Sequence, residues 1–416
     1  MPGGVVIAGA GQAGFQLAAS LRADGYEESI VIIGEEPGLP YQRPPLSKAF
    51  MAGKQAIEGA ILRPEAFYRD HQIELLTGER VTAIDRANRS VTLASHRRLR
   101  YQTLALATGS RNRTLPLKGV DLAGVCYLRT REEAIEIKQR IEYAREIVII
   151  GGGFIGLELA AVARSLGKPV QVLEAQPRLM PRVLPSILSD FYRELHSSAG
   201  VAVSLGVAIS EVAGHAGKVT GVFLNSGEFH PADLVLVGIG AVPNIELAAE
   251  AGLDVGNGIV VDQYLRTGDE NVYAIGDCTD HPNPHAGGRA RLESVQNAVD
   301  QAKCVAAAIV GRGEPYRAVP WFWTDQFDAK LQMVGLSAGH DRIAIRGEPE
   351  SRKFSVFYFR ENRLAAIDSV NRPVDHMAGR KLLAAGTELT PEQASDSSVD
   401  LKVLLQPAAS IGVTTS

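Results

Sequence analysis

Cysteine is scarce in this chain of 416 residues: Cys126, Cys278 and Cys304 are the only three. Three cannot form a disulfide framework, and none stands in a C-x-x-C pair. This fits a reducing, cytoplasmic setting and excludes a dithiol redox centre. A basic surplus is missing too. Lys and Arg number 43 against 47 Asp and Glu, a net charge of −4, which argues against a nucleic-acid binder. No apolar run approaches the ~18–20 residues that a membrane helix needs. Met1-Pro2-Gly3-Gly4 runs into Val5-Val6-Ile7 without a basic leader, so no secretory signal is expected. No G-x-S-x-G elbow supports a serine hydrolase. Histidines show no metal-ligand spacing, so no metal is expected. His281 and His285 flank Pro282-Asn283-Pro284 and read as surface loop residues.

Glycine, in contrast, is abundant at 42 residues. Six of them build one pattern twice. Val5-Val6-Ile7-Ala8 leads into Gly9, Gly11 and Gly14 and then an Ala/Leu-rich stretch. Ile147-Val148-Ile149-Ile150 leads into Gly151, Gly153 and Gly156 and a second such stretch. Each β-branched run reads as a buried parallel strand, and each following stretch as a helix. A further apolar strand then ends at an acid, Glu35 in the first copy and Glu174 in the second. The spacing suits a dinucleotide. The first Gly permits the turn, the second lets backbone N–H groups reach a pyrophosphate, and the third lets helix and strand pack closely. The helix terminus favours phosphate, and the acid accepts from a ribose diol. Two copies imply two dinucleotides, a flavin and a nicotinamide. Glu174 would repel a 2′-phosphate, favouring NADH over NADPH, and nearby Arg178 reads as a solvated surface arginine.

Further segments accompany the fingerprints: Thr103 to Gly109, Asp233 to Gly240, and Val272-Tyr273-Ala274-Ile275-Gly276-Asp277. Together they resemble the two-dinucleotide flavoproteins that include glutathione reductase. Tyr41-Gln42-Arg43-Pro44-Pro45-Leu46-Ser47-Lys48, Glu293 to Ala298 and Pro320 to Gln326 are more specific. They resemble the oxygenase-coupled, FAD-dependent NADH:ferredoxin reductases, the group of putidaredoxin reductase and the reductases of Rieske dioxygenases. The resemblance spans roughly 5 to 375 and implies an α/β fold. Two Rossmann-like, glutathione-reductase-like domains would be joined by a small C-terminal α+β domain. FAD would occupy a split domain, 1–108 and 240–315, and NAD an inserted one, 109–239. The third domain would be 316–416. Lys353 to Phe359 and Arg363 to Ile367 read as strands around an Glu361-Asn362 turn. Ser395 to Ser398 reads as a mobile surface loop.

The resemblance also implies roles. Asp277 would accept from the flavin ribityl chain, although an Asp there also suits a helix N-cap. Arg43 offers a fork to a pyrophosphate, or is a plain loop arginine. Pro44 and Pro45 would wall the isoalloxazine ring, or simply fix a turn. Lys48 and Glu158 would pair near flavin N5, a catalytic position where a cation stabilises the reduced ring; Glu158 alone reads as a helix first-turn carboxylate. Val81 would meet the adenine through its backbone. Ala107, Thr108, Gly109, Ile155 and Gly240 would line the cofactors. Arg129 reaches toward a cofactor or makes a structural ion pair. Val295 would point a backbone N–H at the flavin. Trp321 and Trp323 alternate on a strand, and Trp323 would approach the flavin.

No cysteine occurs from Glu35 to Gly59, where relatives with thiol chemistry carry one. Electrons are therefore expected to leave the flavin without a thiol relay. The acceptor implied is an acidic 2Fe-2S ferredoxin, bound transiently, that serves a haem monooxygenase or Rieske dioxygenase. Arg63, Arg289, Arg291, Arg312, Arg317 and Lys330 are candidates for its basic dock. A monomer or weak dimer is expected. The alternatives are an NADH oxidase or quinone reductase, and an NADH-sensing flavoprotein that does not turn over.

Overall fold

The computed structural model describes residues 3–405. Two compact units emerge. One runs from the N-terminal residues to Pro284 and resumes over Gly288–Arg317; the other comprises His285–Gly287 and the chain from Ala318 onward.

The first unit holds two parallel five-stranded sheets built to one plan. In one, Val5–Ala8 is central, flanked by Ile30–Gly34 and Thr103–Leu106, with Ile73–Thr77 and Val272–Ala274 outermost. In the other, Ile147–Ile150 is central, flanked by Val170–Glu174 and Leu234–Val237, with Ala202–Leu205 and Val125–Tyr127 outermost. The register repeats as well: Val5 faces Ile30 and Thr103, and Ile147 faces Val170 and Leu234. Both central strands are buried throughout, which is why they read as unbroken β-branched runs instead of alternating ones. Each enters a glycine turn and a helix, Gln12–Ala23 or Phe154–Ser165.

The second unit is an antiparallel sheet ordered Trp321–Gln326, Ala329–Gly335, Arg363–Val370, Lys353–Arg360, Arg342–Glu348. The expected Glu361-Asn362 turn is present, with φ of 50° and 61°. Two consecutive left-handed residues match the twist of the strands they join. The helix Pro373–Ala385 packs on this sheet, and Gly379 makes the approach possible. A Cβ there would lie 2.6 Å from Ile367 Cδ1.

One sequence reading fails here. His281 is fully buried on the strand Thr279–Asn283, because the intervening proline is accommodated within a short strand instead of forming an exposed loop. Ser395 to Ser398 is exposed but anchored. Arg346, buried, donates to the carbonyls of Asp396, Ser397 and Val399. Its charge is balanced by buried Asp375 at 3.6 Å, which also accepts from Arg372 at 2.5 Å and Ser355 at 2.8 Å.

No helix among the described residues is long and apolar enough to cross a membrane. Cys126 and Cys278 are buried and Cys304 half-buried, all free thiols.

Asp375→Asn should leave Arg346 a buried charge without its counter-ion, destabilising the C-terminal unit by about 3–5 kcal/mol in urea titration. Burial also holds His281 and His376 near a pKa of about 4, against 6.5 for a free histidine. The unfolded chain therefore binds protons that the folded one refuses. Stability is full above 6.5 and is lost as pH falls toward 4. A urea midpoint that stayed flat across that window would contradict this.

Candidate functional site: two dinucleotide cradles and a buried ion pair

The glycine turns have the geometry that phosphates need. Gly9 and Gly151 take φ of +125° and +104°, open to glycine and strained for other residues. A Cβ on Gly14 would lie 2.0 Å from the Gly9 carbonyl oxygen, and one on Gly156 would lie 2.3 Å from that of Gly151. At the middle positions the opposite holds. Nothing lies within 4 Å of where a Gly11 Cβ would project, and only the Gly238 carbonyl oxygen, at 3.7 Å, approaches that of Gly153. These are also the N-caps of the two helices, and neither receives a side-chain cap. The first-turn N–H groups are thus offered to an open space, which suits a pyrophosphate and the group it belongs to.

The two acids differ. Glu174 ends its strand and accepts from the backbone of Gly152 at 2.5 Å and Gln176 at 2.7 Å, so it stands at the lip of the second turn. Glu35 follows its strand and is 75% exposed, paired only loosely with Arg80 at 3.7 Å. Its neighbour Glu36 is the engaged carboxylate, accepting from Arg43 at 2.5 Å and from the Tyr41 hydroxyl. Arg43 also donates to the Arg129 carbonyl. Burial opposes its charge, but Tyr41, Glu36 and Asp277 outweigh that and raise its pKa. Arg178 is half-buried: it donates to Ser189 at 2.9 Å, to the Pro181 carbonyl at 2.8 Å and to that of Leu184. These bonds hold Arg178 against its own loop.

Around Asp277 the helix-cap reading falls away, since the strand Thr279–Asn283 follows and no helix starts there. Its carboxylate accepts from Arg129 and from Ser110, each at 3.1 Å. The Arg129 Nε is buried with no partner, a donor left over at this position. Thr108 and Asn244 exchange hydrogen bonds of 2.7 and 2.8 Å, which fixes the Ala107-Thr108-Gly109 segment. Gly240 lies beyond the strand Leu234–Val237 with φ +106°. Val81 opens a strand, buried; Ile155 is exposed in the first turn of its helix; Val295 starts the helix Val295–Ile309 behind an N-cap Ser294. Pro45 lies in the short helix Pro44–Ser47, next to Lys48. Trp323 belongs to the second unit, on one strand with Trp321, their rings 5.6 Å apart.

Lys48 and Glu158 do meet. The Lys48 Nζ lies 2.7 Å from Glu158 Oε1, and the Ser47 hydroxyl donates to Oε2 at 2.5 Å. Lys48 comes from the loop after the first acid and Glu158 from the second fingerprint's helix, so the pair ties the two nucleotide folds together. Glu158, 1% exposed, lies past the first helical turn, where no acid occurs. Its charge is therefore held by Lys48 and Ser47, because the helix terminus acts only over the first turn. The sequence reading overlooked Ser47 and Glu36 as contributors. Ser47 lies in the cysteine-free stretch from Glu35 to Gly59, and Glu36 directly follows Glu35.

Residues 3–302 match the model of the pyridine nucleotide-disulphide oxidoreductases, and residues 321–405 that of the reductase C-terminal domain. The chain belongs to the pyridine nucleotide-disulphide oxidoreductase family. This oxidoreductase is 50% identical over 401 residues to rhodocoxin reductase of Rhodococcus erythropolis, covering 96% of this chain and 94% of that one. A solved ferredoxin reductase for the CYP199A2 system of Rhodopseudomonas palustris superposes with a TM-score of 0.95 at 48% identity, over 97% of this chain and 100% of that one. A covalent complex of putidaredoxin reductase with putidaredoxin gives a TM-score of 0.94 at 40% identity, over 97% and 98%. The glutathione-reductase-like α/β fold with its C-terminal domain is thus established, and the relatives are ferredoxin reductases serving oxygenases.

Lys48→Met removes the cation from a buried carboxylate. Reduction by NADH should slow while FAD stays bound, and a wild-type rate of flavin reduction in stopped flow would contradict a role for the pair.

Proposed function

We propose that this chain is an NADH-dependent, FAD-containing reductase that delivers single electrons to a 2Fe-2S ferredoxin serving a haem monooxygenase or Rieske dioxygenase. The observation that carries this is the buried Lys48–Glu158 pair joining the two dinucleotide folds, where the reactive ends of two bound cofactors would meet. Bound FAD supplies the conversion of a two-electron donor into one-electron deliveries. The protein's part is to hold and orient. Gly9, Gly11, Gly14 and the helix Gln12–Ala23 take the flavin pyrophosphate with Arg43, while Glu35, Val81, Ala107, Thr108 and Gly109 flank the adenosine side and backbone. Asp277, Arg129 and Val295 would hold the ribityl chain and ring, with Pro45 as a wall for the ring. Gly151, Gly153, Gly156, Ile155, Gly240 and Glu174 take NADH, and Glu174 disfavours a 2′-phosphate. Lys48, positioned by Glu158, keeps positive charge where negative charge develops.

The thiols support transfer without a thiol relay. Burial pushes Cys126 up to about 11 and raises Cys278 as well, so both stay protonated, and none of the three is paired. The segments 1–108 with 240–315, 109–239 and 316–416 serve as the FAD, NAD and C-terminal domains; each parallel sheet draws its strands from one of the first two sets. We place the protein in the cytoplasm, as a monomer or weak dimer that meets an acidic ferredoxin transiently. Of the basic dock candidates, Arg289, Arg291, Arg312 and Lys330 already face Asp280, Glu293, Asp24 and Asp325. Arg63 lies over the Phe67 ring, and Arg317 is exposed.

The test is ferredoxin dependence with NADH and NADPH in parallel. Cytochrome c reduction that requires added ferredoxin, and runs faster with NADH, is expected. Oxygen consumption without ferredoxin would instead mark an oxidase, and a long-lived NADH complex with negligible turnover a sensor.

A further inference from the structure

We propose that Gln301 is a positioning residue for the flavin, acting through the Gly276–Asp277 turn; this rests on FAD occupying the first cradle. Gln301 is fully buried on the helix Val295–Ile309. Its amide oxygen accepts from the Gly276 backbone N–H at 2.7 Å. Its amide nitrogen lies 3.3 Å from His281 Nδ1, and the Asn283 amide nitrogen lies 3.2 Å from His281 Nε2.

Polarity is fixed at the Gly276 end of this chain of contacts. A backbone N–H can only donate, so Gly276 dictates which end of the Gln301 amide faces it. That leaves the amide N–H groups facing His281 Nδ1, while the Asn283 amide nitrogen faces Nε2; a neutral imidazole accepts at one of these two nitrogens. Burial keeps the ring neutral at neutral pH, with a pKa of about 4. The Tyr316 and His281 rings meet in a T-shaped contact, centroids 5.3 Å apart, and the Tyr316 hydroxyl donates to Asn297 at 3.0 Å on the same helix as Gln301.

Gly276 is where such a device is needed. It has φ +82°, and a Cβ there would lie 3.2 Å from Ala13 Cβ and 3.9 Å from Ala298 Cβ, between the fingerprint helix and the helix of Gln301. Its N–H points into this buried seam, where Gln301 meets it. The next residue is Asp277, already drawn to Arg129 and Ser110. The helix that carries Gln301 also begins at Val295. One buried amide therefore ties the aspartate turn to the helix start, and the two flavin-facing positions move together or not at all.

The experiment compares wild-type holoprotein with Gln301→Met and Gln301→Glu. Met keeps the volume and loses the acceptor; Glu keeps the acceptor. FAD dissociation is followed by recovery of free-flavin fluorescence, beside the bound-flavin absorption spectrum and the melting of the apoprotein. Gln301→Met should release FAD about tenfold faster, the scale of one lost buried hydrogen bond, with an altered spectrum and an apoprotein that still melts cooperatively. Gln301→Glu should return release to near the wild-type rate. Equal release from Gln301→Met and wild type overturns the proposal, as does release from Gln301→Glu as fast as from Gln301→Met. If Gln301→Met does not fold, Gln301→Leu, which also lacks the acceptor, decides: release about tenfold faster supports the proposal, and wild-type release overturns it. Failure of wild-type protein to bind FAD would instead overturn the reading of the first cradle.

Discussion

The ion pair between Lys48 and Glu158 is the constraint on which the rest depends. A carboxylate 1% exposed is tolerable only beside a cation and a hydrogen-bond donor. Lys48 and Ser47 supply both, at 2.7 and 2.5 Å. Because one partner belongs to each nucleotide fold, satisfying this charge also fixes how the first fold's proline loop meets the second fold's helix. Lys48 must lie where Glu158 is, and the short helix Pro44–Ser47 that delivers it is held by the same contact.

Around that pair the two folds repeat one solution with different edges. The central strands, glycine turns and helix starts correspond position by position. The divergence lies in the acids and in what surrounds them. In the second fold, Glu174 closes back on its own turn through Gly152. In the first, Glu36, Tyr41 and Arg43 form a charged cluster that reaches across to Arg129, and so to Asp277. A common backbone plan thus carries two distinct electrostatic settings, and the glycine turns alone would not distinguish them.

Much of this was legible in the sequence because it is local. A β-branched run, three spaced glycines and a terminal acid act over a few dozen residues, and a turn such as Glu361-Asn362 is set by two backbone angles. The pairing of Lys48 with Glu158 was readable only through family resemblance, since nothing local links them. What stayed hidden depends on long-range contact. Arg178 read as a surface residue because its acceptors, carbonyls of its own loop, are invisible until that loop closes. His281 read as exposed because prolines flag loops, yet the strand Thr279–Asn283 is covered from elsewhere. Asp277 sits where a cap residue would be placed, but the chain leaves as a strand. Arg346 gathers carbonyls fifty residues downstream, which no spacing announces.

The thiols carry one last consequence. Burial shields Cys126 and Cys278 from water and keeps them protonated, and Cys304 is likewise pushed up to about 11. Peroxide and electrophiles attack the thiolate, and these three sites offer almost none at neutral pH. Two of the three sulfurs are thus buried and the third is protonated, which leaves little thiol reactivity anywhere among the described residues.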